Sequence, residues 1–239
     1  MGQRINPTTV IDHLEELRKR LIICVASLAV TTIIALIYVE LLRSILIRPA
    51  GDIQLIFISP PEALMADFRL ALIAGIGLAL PVLVYQLIAY LLPALEKNEK
   101  KLIIPGVFAV VLFFAAGVSF AYYVVFPFAV RFFLTFATES IQPMFTVSNY
   151  LSFATNFIFA FGIVFQMPLL FFVLGSLNIV TPAFLRKSRK FALLIIVIAS
   201  AILTPPDVVS QIMMAIPLMG LYEIGILMVV FSQRKKQVG

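Results

Sequence analysis

The chain has 239 residues, of which 62% are hydrophobic and only 13% are charged, and its net charge is +6 at neutral pH. Its mean hydropathy is +1.09, with 22 phenylalanines and no tryptophan. A water-soluble domain of this size could not cover so much apolar surface, so the composition excludes an ordinary soluble protein. Several apolar runs of about 18 residues or more predict an all-α integral membrane protein.

The first 20 residues are polar and predict an amphipathic helix that lies on the membrane surface and runs into the first span. Thr8 and Thr9 can cap this helix, and apolar residues then recur at helical spacing as far as Leu21. The apolar run at residues 21–39 is the first predicted span, and it is about 28 Å long as a helix. The mixed segment at residues 40–67 is expected to fold over the outer surface, with a new helix starting after Ser59.

Five further spans complete a predicted bundle of six transmembrane helices. They are expected at residues 70–92, 102–130, 150–177, 191–203 and 208–231. The fifth is short, because 13 residues cover only about 20 Å as a helix and a bilayer core measures about 30 Å. For the sixth span, a short helix is a second possibility that the sequence leaves open. The alternative for the fifth run is a segment that re-enters the membrane without crossing it.

The basic residues predict the orientation. With six crossings, fourteen of the 18 Lys and Arg residues fall on one side of the membrane and the remaining four fall on the other. Because loops rich in Lys and Arg stay in the cytoplasm, both termini are predicted to be cytoplasmic. Residues 1–239 then form one membrane domain, with a cytoplasmic segment at 1–20, a bundle at 21–231 and a basic tail at 232–239.

Enzymatic chemistry has little support in the sequence. The chain has no zinc-binding His pair, no Gly-x-Ser-x-Gly elbow and no Walker loop, and it contains a single His and a single Cys. We therefore expect no enzyme, no metal and no cofactor. The positive charge matches membrane orientation rather than nucleic-acid binding.

Polar residues inside the spans allow two interpretations. Glu223 is the only carboxylate deep within a late span. It either reaches interfacial water or packs in protonated form, or it meets a partner helix or substrate. Gln166 is expected near the middle of the membrane, where it joins helices or faces a cavity. A proton-coupled small-solute transporter centred on these two residues is the alternative functional class.

Scarce charges also cluster in the predicted cytoplasmic segments. The hinge at residues 92–101 holds three lysines together with Glu96 and Glu99, and Glu15 and Glu16 stand beside basic residues near the N-terminus. Such mixed runs are usually solvated surfaces of paired charges. The alternative is an acidic docking site for a basic peptide.

Seven short motifs extend over nearly the whole chain. They are HLEELRKRL at 13–21, PALEKNE at 93–99, FAY at 120–122, FP at 126–127, YLSF at 150–153, FG at 161–162 and LTPPDV at 203–208. Each is weak alone, but the set resembles the TatC family, the multi-span receptor subunit of the twin-arginine protein translocase. The resemblance implies a multi-pass protein of the cytoplasmic (inner) membrane that exports folded proteins using the proton-motive force.

The resemblance also implies partners. These are single-span subunits resembling TatA and TatB, further copies of this chain in a receptor complex, and signal peptides that carry two adjacent arginines. A guanidinium prefers a carboxylate in bidentate geometry, which a lysine cannot reproduce. No nucleic-acid partner is implied.

Individual site residues follow from the resemblance. Glu16 and Glu99 correspond to glutamates that meet the twin arginines, and Leu17, Arg18 and Tyr90 belong to the same surface. The family usually has Phe where this chain has Tyr90.

Three further positions carry implied roles. Asp207 corresponds to an acidic outer-side position that matters for transport, and Gln211 to a polar residue that contacts partners. Gln166 stands where the family usually has Glu. Since an amide cannot ionise, a role that needs a buried charge is in doubt there, whereas a hydrogen-bonding role survives.

Overall fold

A computed structural model of the chain describes residues 7–51, 55–91, 103–135, 144–203 and 208–237. Within these ranges the chain is helical, apart from short turns and one two-stranded sheet. Five helical segments there are long and apolar enough to cross a membrane: His13–Ile37, Pro61–Tyr90, Ile104–Leu134, Val147–Ser176 and Gln211–Gln233. The all-α membrane class predicted from composition is therefore confirmed.

The described helices follow one another in a simple order. They are α1 (Pro7–Ile37), α2 (Val39–Ile47), α3 (Pro60–Leu91), α4 (Ile103–Phe120), α5 (Phe126–Leu134), α6 (Val147–Val164), α7 (Met167–Ser176), α8 (Pro182–Lys187), α9 (Arg189–Leu203) and α10 (Val208–Gln237). A 3-10 turn at Arg48–Ala50 follows α2, and a π-helical turn at Ala121–Val125 joins α4 to α5. Strands β1 (Leu55–Ile56) and β2 (Phe145–Thr146) pair in parallel.

Helix α1 is a single helix of 31 residues, so the N-terminal helix runs into the first span as predicted. After Pro7 its sequence contains no further proline and no glycine, so no residue removes a hydrogen bond or favours a break near Leu21. The position of its polar segment on the membrane surface stays a prediction.

Helix α3 begins where the sequence predicted and runs antiparallel to α1. Pro60 and Pro61 occupy its first turn, where a missing N–H costs little. Near the middle of the pair, the Thr31 hydroxyl donates to the Gly75 carbonyl at 2.9 Å. A Cβ atom at Gly75 would lie 2.8 Å from the Thr32 Cα, so only glycine permits this close approach of the two backbones.

The core lies around α6. Phe126, Phe157 and Phe161 are fully buried, and the rings of Phe157 and Phe161 have centroids 5.1 Å apart. The fourth predicted span is interrupted, since α6 ends at Val164 and α7 starts at Met167. Gln166 lies in this break.

The last two helices differ in length. The 15 residues of α9 cover about 22 Å, so the predicted short helix is present. Helix α10 has 30 residues and contains a candidate span of 23, so the allowance for a short sixth helix was wrong. The helix continues on both sides of Pro217, so this proline does not shorten it. The count of six crossings stays a prediction.

Candidate functional site

Five side chains from α1 and α3 meet where the two helices bring the N-terminal segment beside the end of α3. We call them the α1–α3 cluster: His13, Glu16 and Arg20 from α1, and Gln86 and Tyr90 from α3. The spacings of three and four residues put the members from each helix on one face. The His13 and Tyr90 rings are stacked, with centroids 4.5 Å apart and an angle of 23° between their planes.

An ion pair forms the centre of this cluster. Arg20 donates from Nε and Nη2 to the same oxygen of Glu16, Oε1, at 3.0 and 2.6 Å. Its third contact runs from Nη1 to Gln86 Oε1 at 3.1 Å and joins the two helices. In the part of the chain that the structure describes, no hydrogen bond reaches Glu16 Oε2.

Leu17 and Arg18 lie beside the cluster and are exposed. Arg18 makes no ion pair within the described ranges. On the same helix, Lys19 pairs with Glu15 at 3.2 Å, and both of those side chains are exposed. Glu16 and Tyr90 therefore belong to the α1–α3 cluster, whereas Leu17 and Arg18 are exposed on the adjoining faces of the same turn of α1.

The structure brings together only some of the predicted peptide-binding residues. Glu16 and Tyr90 are members of one cluster, with Leu17 and Arg18 next to it, whereas Glu99 lies outside the described residues. His13, Arg20 and Gln86 were not predicted as site residues. The spacing of four residues between Glu16 and Arg20 was a usable signal for Arg20. Nothing local in the sequence indicated Gln86, 66 positions from Arg20.

Gln166 joins the break between α6 and α7 to a neighbouring helix. Its Nε2 donates to the Val110 carbonyl of α4 at 3.3 Å and to the Gly162 carbonyl at 3.2 Å. Its Oε1 is buried and has no hydrogen-bond partner among the residues that the structure describes. These contacts match the helix-joining interpretation of Gln166.

Two of the other predicted polar residues also have partners within the chain, and a third lies outside the described residues. Glu223 forms an ion pair with Arg189 at 2.8 Å, and both side chains are nearly half exposed, so Glu223 is not packed alone inside the bundle. Gln211 Nε2 donates to the Val197 carbonyl at 3.0 Å, which ties α10 to α9. Asp207 lies outside the described residues.

A second polar region surrounds the two strands, and we call it the sheet-end cluster: Glu62, Tyr122, Tyr150 and strands β1 and β2. Glu62 accepts the N–H of Ile58 at 2.8 Å and the N–H of Ser148 at 3.3 Å. The hydroxyls of Tyr122 and Tyr150 donate to successive carbonyls at the end of α2, each at 2.9 Å. No described group of three or more His, Cys, Asp or Glu side chains could hold a metal ion.

Comparisons with known proteins identify the family. The family described as "Sec-independent protein translocase protein (TatC)" matches residues 12–217. TatC of Carboxydothermus hydrogenoformans is 42% identical over 236 residues, which cover 98% of this chain and 97% of that protein. TatCd of Bacillus subtilis is 36% identical over 232 residues, covering 96% of this chain and 94% of that protein.

A solved structure agrees with these relatives. The crystal structure of the twin-arginine translocase receptor TatC is similar with a TM-score of 0.81 and 36% identity, covering 92% of this chain and 99% of that one. The apolar helices and these matches make the chain a multi-pass membrane protein. The chain belongs to the TatC family of Sec-independent protein translocase proteins.

Proposed function

We propose that this chain is the signal-peptide receptor and core subunit of a twin-arginine translocase, which exports folded proteins across the cytoplasmic membrane using the proton-motive force. The α1–α3 cluster is the observation that carries the proposal. It presents Glu16 and the ring of Tyr90 on one surface, beside the exposed side chains of Leu17 and Arg18. Membership of the TatC family supports the class of protein, and the α1–α3 cluster supports the position of the peptide-binding site.

The chemistry of the cluster suits an arginine. Glu16 has one oxygen, Oε2, without a hydrogen bond from the described residues, and a guanidinium binds a carboxylate more directionally than an ammonium does. One face of the Tyr90 ring is stacked on His13, and we propose its other face as the place where a guanidinium stacks. We propose Glu99, which lies outside the described residues, as the second carboxylate, supplied by the hinge at residues 92–101.

The remaining assignments belong to the same proposal. The chain crosses the membrane six times with both termini in the cytoplasm, and it assembles with further copies and with TatA-like and TatB-like single-span subunits. Gln166 and Gln211 contact partners, and Asp207 acts on the outer side. The short α9 thins the bilayer locally, which would ease the passage of folded cargo.

The rival function, a proton-coupled small-solute transporter, has less support. It was centred on Glu223 and Gln166, but Glu223 is paired with Arg189 at a half-exposed position and Gln166 binds two backbone carbonyls. Liposomes containing the chain alone should therefore take up no solute, whereas the chain should co-purify with single-span partners and a pre-export substrate.

Binding of a synthetic signal peptide tests the receptor site. The full chain in nanodiscs is titrated with a fluorescent peptide that contains Arg-Arg, and with a matched Lys-Lys peptide. Glu16→Gln keeps the shape of the side chain but removes its charge, and we expect about tenfold weaker binding of the Arg-Arg peptide, since a hydrogen bond to a charged group contributes about 1.5 kcal/mol or more. Glu99→Gln should have a similar effect.

Glu15→Gln is the matched control. Glu15 is the neighbouring residue on the same helix and forms an exposed pair with Lys19, so the variant removes the same charge from a position outside the cluster. We expect less than a twofold change. Unchanged binding of the Arg-Arg peptide in both Glu16→Gln and Glu99→Gln would show that the assigned site is wrong.

A further inference from the structure

The carboxylate proposed to receive an arginine already holds one. Two N–H groups of Arg20 contact Glu16 Oε1, at 3.0 and 2.6 Å. Only 35% of the Glu16 side chain and 22% of the Arg20 side chain are exposed. The group that fills the site is a guanidinium, the same chemical group that the signal peptide would bring.

This pair changes what an incoming peptide meets. The charges of Glu16 and Arg20 sum to zero, so a second guanidinium approaches a carboxylate whose attraction is largely cancelled by a cation in contact with it. Oε2 is open to a first contact, but a bidentate contact with both oxygens of Glu16 requires Arg20 to release Oε1. Pairs four residues apart on a partly exposed helix surface are weak, so such a move is energetically small.

Gln86 gives Arg20 a partner that does not depend on Glu16. Its Oε1 accepts Arg20 Nη1 at 3.1 Å from the neighbouring helix. Because this acceptor lies on α3, it holds the Arg20 guanidinium from a second helix. Gln86 therefore helps to keep Arg20 beside Glu16.

We propose that Arg20 is a resident competitor: in the empty receptor it occupies Glu16, and an arginine of the signal peptide must displace it. This inference rests on the proposed function of the α1–α3 cluster and adds a threshold of affinity to it. An arginine replaces both N–H contacts that Arg20 gives up, whereas a lysine offers a single point charge. The cost of displacing Arg20 is the same for either peptide, so Arg20 weakens the binding of both, and the weaker lysine contact with Glu16 is the first to fall below a useful affinity.

Arg20→Gln tests the competitor in the titration with Arg-Arg and Lys-Lys peptides. Removing the competitor should tighten Arg-Arg binding about twofold to fivefold, the range expected for a partly exposed ion pair. Binding of the Lys-Lys peptide should tighten by no more than the same factor, because the cost of displacing Arg20 is common to both peptides. Lys19→Gln is the control, since it removes the same charge from an exposed pair one position away and should change neither affinity nor preference.

Gln86→Leu is a second variant that tests the competitor, and it changes no charge. It removes the acceptor that holds Arg20 beside Glu16, so Arg-Arg binding should tighten in the same direction by a smaller factor. If Arg20→Gln does not fold, this variant decides the question alone. Binding that is unchanged or weaker in these variants, relative to Lys19→Gln, overturns the inference.

The Glu16→Gln variant separates this inference from the proposed function. If Glu16→Gln weakens binding but Arg20→Gln does not strengthen it, the receptor site stands and the competitor is wrong. If Glu16→Gln has no effect, the site itself is wrong and the competitor falls with it. In the Glu16→Gln background, Arg20→Gln should no longer tighten Arg-Arg binding relative to Lys19→Gln.

Discussion

The sheet-end cluster and the α1–α3 cluster are both polar, but they are held together differently. In the sheet-end cluster, Tyr122, Tyr150 and Glu62 bond to backbone groups of other segments, and the contacts of the two tyrosines span 77 and 104 positions of the chain. In the α1–α3 cluster, the contacts join one side chain to another.

This difference has a functional consequence. A bond between a side chain and a backbone group of another segment fixes the position of that segment, because a buried backbone group needs a partner. A pair of side chains can instead be replaced by a ligand group of the same chemistry. The sheet-end cluster therefore positions the helices, whereas the side-chain contacts of the α1–α3 cluster can be replaced by those of a peptide.

Glu62→Ala should have the largest effect on stability. It removes the acceptor shared by the N–H groups of Ile58 and Ser148, which precede α3 and begin α6. We expect a greater fall in the thermal midpoint, followed by circular dichroism in detergent, than for any single substitution in the α1–α3 cluster. Glu40→Ala is the control, because Glu40 is exposed on α2. A midpoint equal to that of the control would contradict the proposed fastening.

Tyr150→Phe should have the next largest effect. It removes one hydrogen bond to the Leu46 carbonyl and should lower the free energy of unfolding by about 1 kcal/mol. Tyr122→Phe should cost a similar amount through the Ile45 carbonyl. Tyr123→Phe serves as the control, since Tyr123 is exposed. Affinity for the Arg-Arg peptide should stay the same in all three, and a loss of affinity would mean that the two ends are coupled.

Tyr90→Leu should have the smallest effect on stability and a clear effect on binding. It removes the ring that stacks on His13, a contact of about 1 kcal/mol or less at this partly exposed position. Peptide affinity should fall severalfold, because the incoming guanidinium loses its aromatic face. Tyr90→Phe keeps the ring and should behave as the original chain. Equal affinities for the two variants would remove Tyr90 from the binding surface.

The accuracy of the sequence-based predictions depended on the range of the interaction. The start of α3 was predictable, because Ser59, two prolines and Glu62 are neighbours whose backbone chemistry acts locally. The continuation of the N-terminal helix into the first span was predictable for the same reason. The boundary between the polar and the apolar segment is a change of environment, and the α1 backbone has no residue that breaks the helix there.

Composition and periodicity were sufficient for the membrane class, the helical segments and the face on which Glu16 lies, because each depends on residues close together in the chain. The partners of those faces depended on the packing of the helices. Arg20 meets Gln86, and Gln166 meets the Val110 carbonyl, across 66 and 56 positions. An apolar pattern tells which side of a helix is buried, but not which helix covers it or at what height, so these contacts were decided by the fold as a whole.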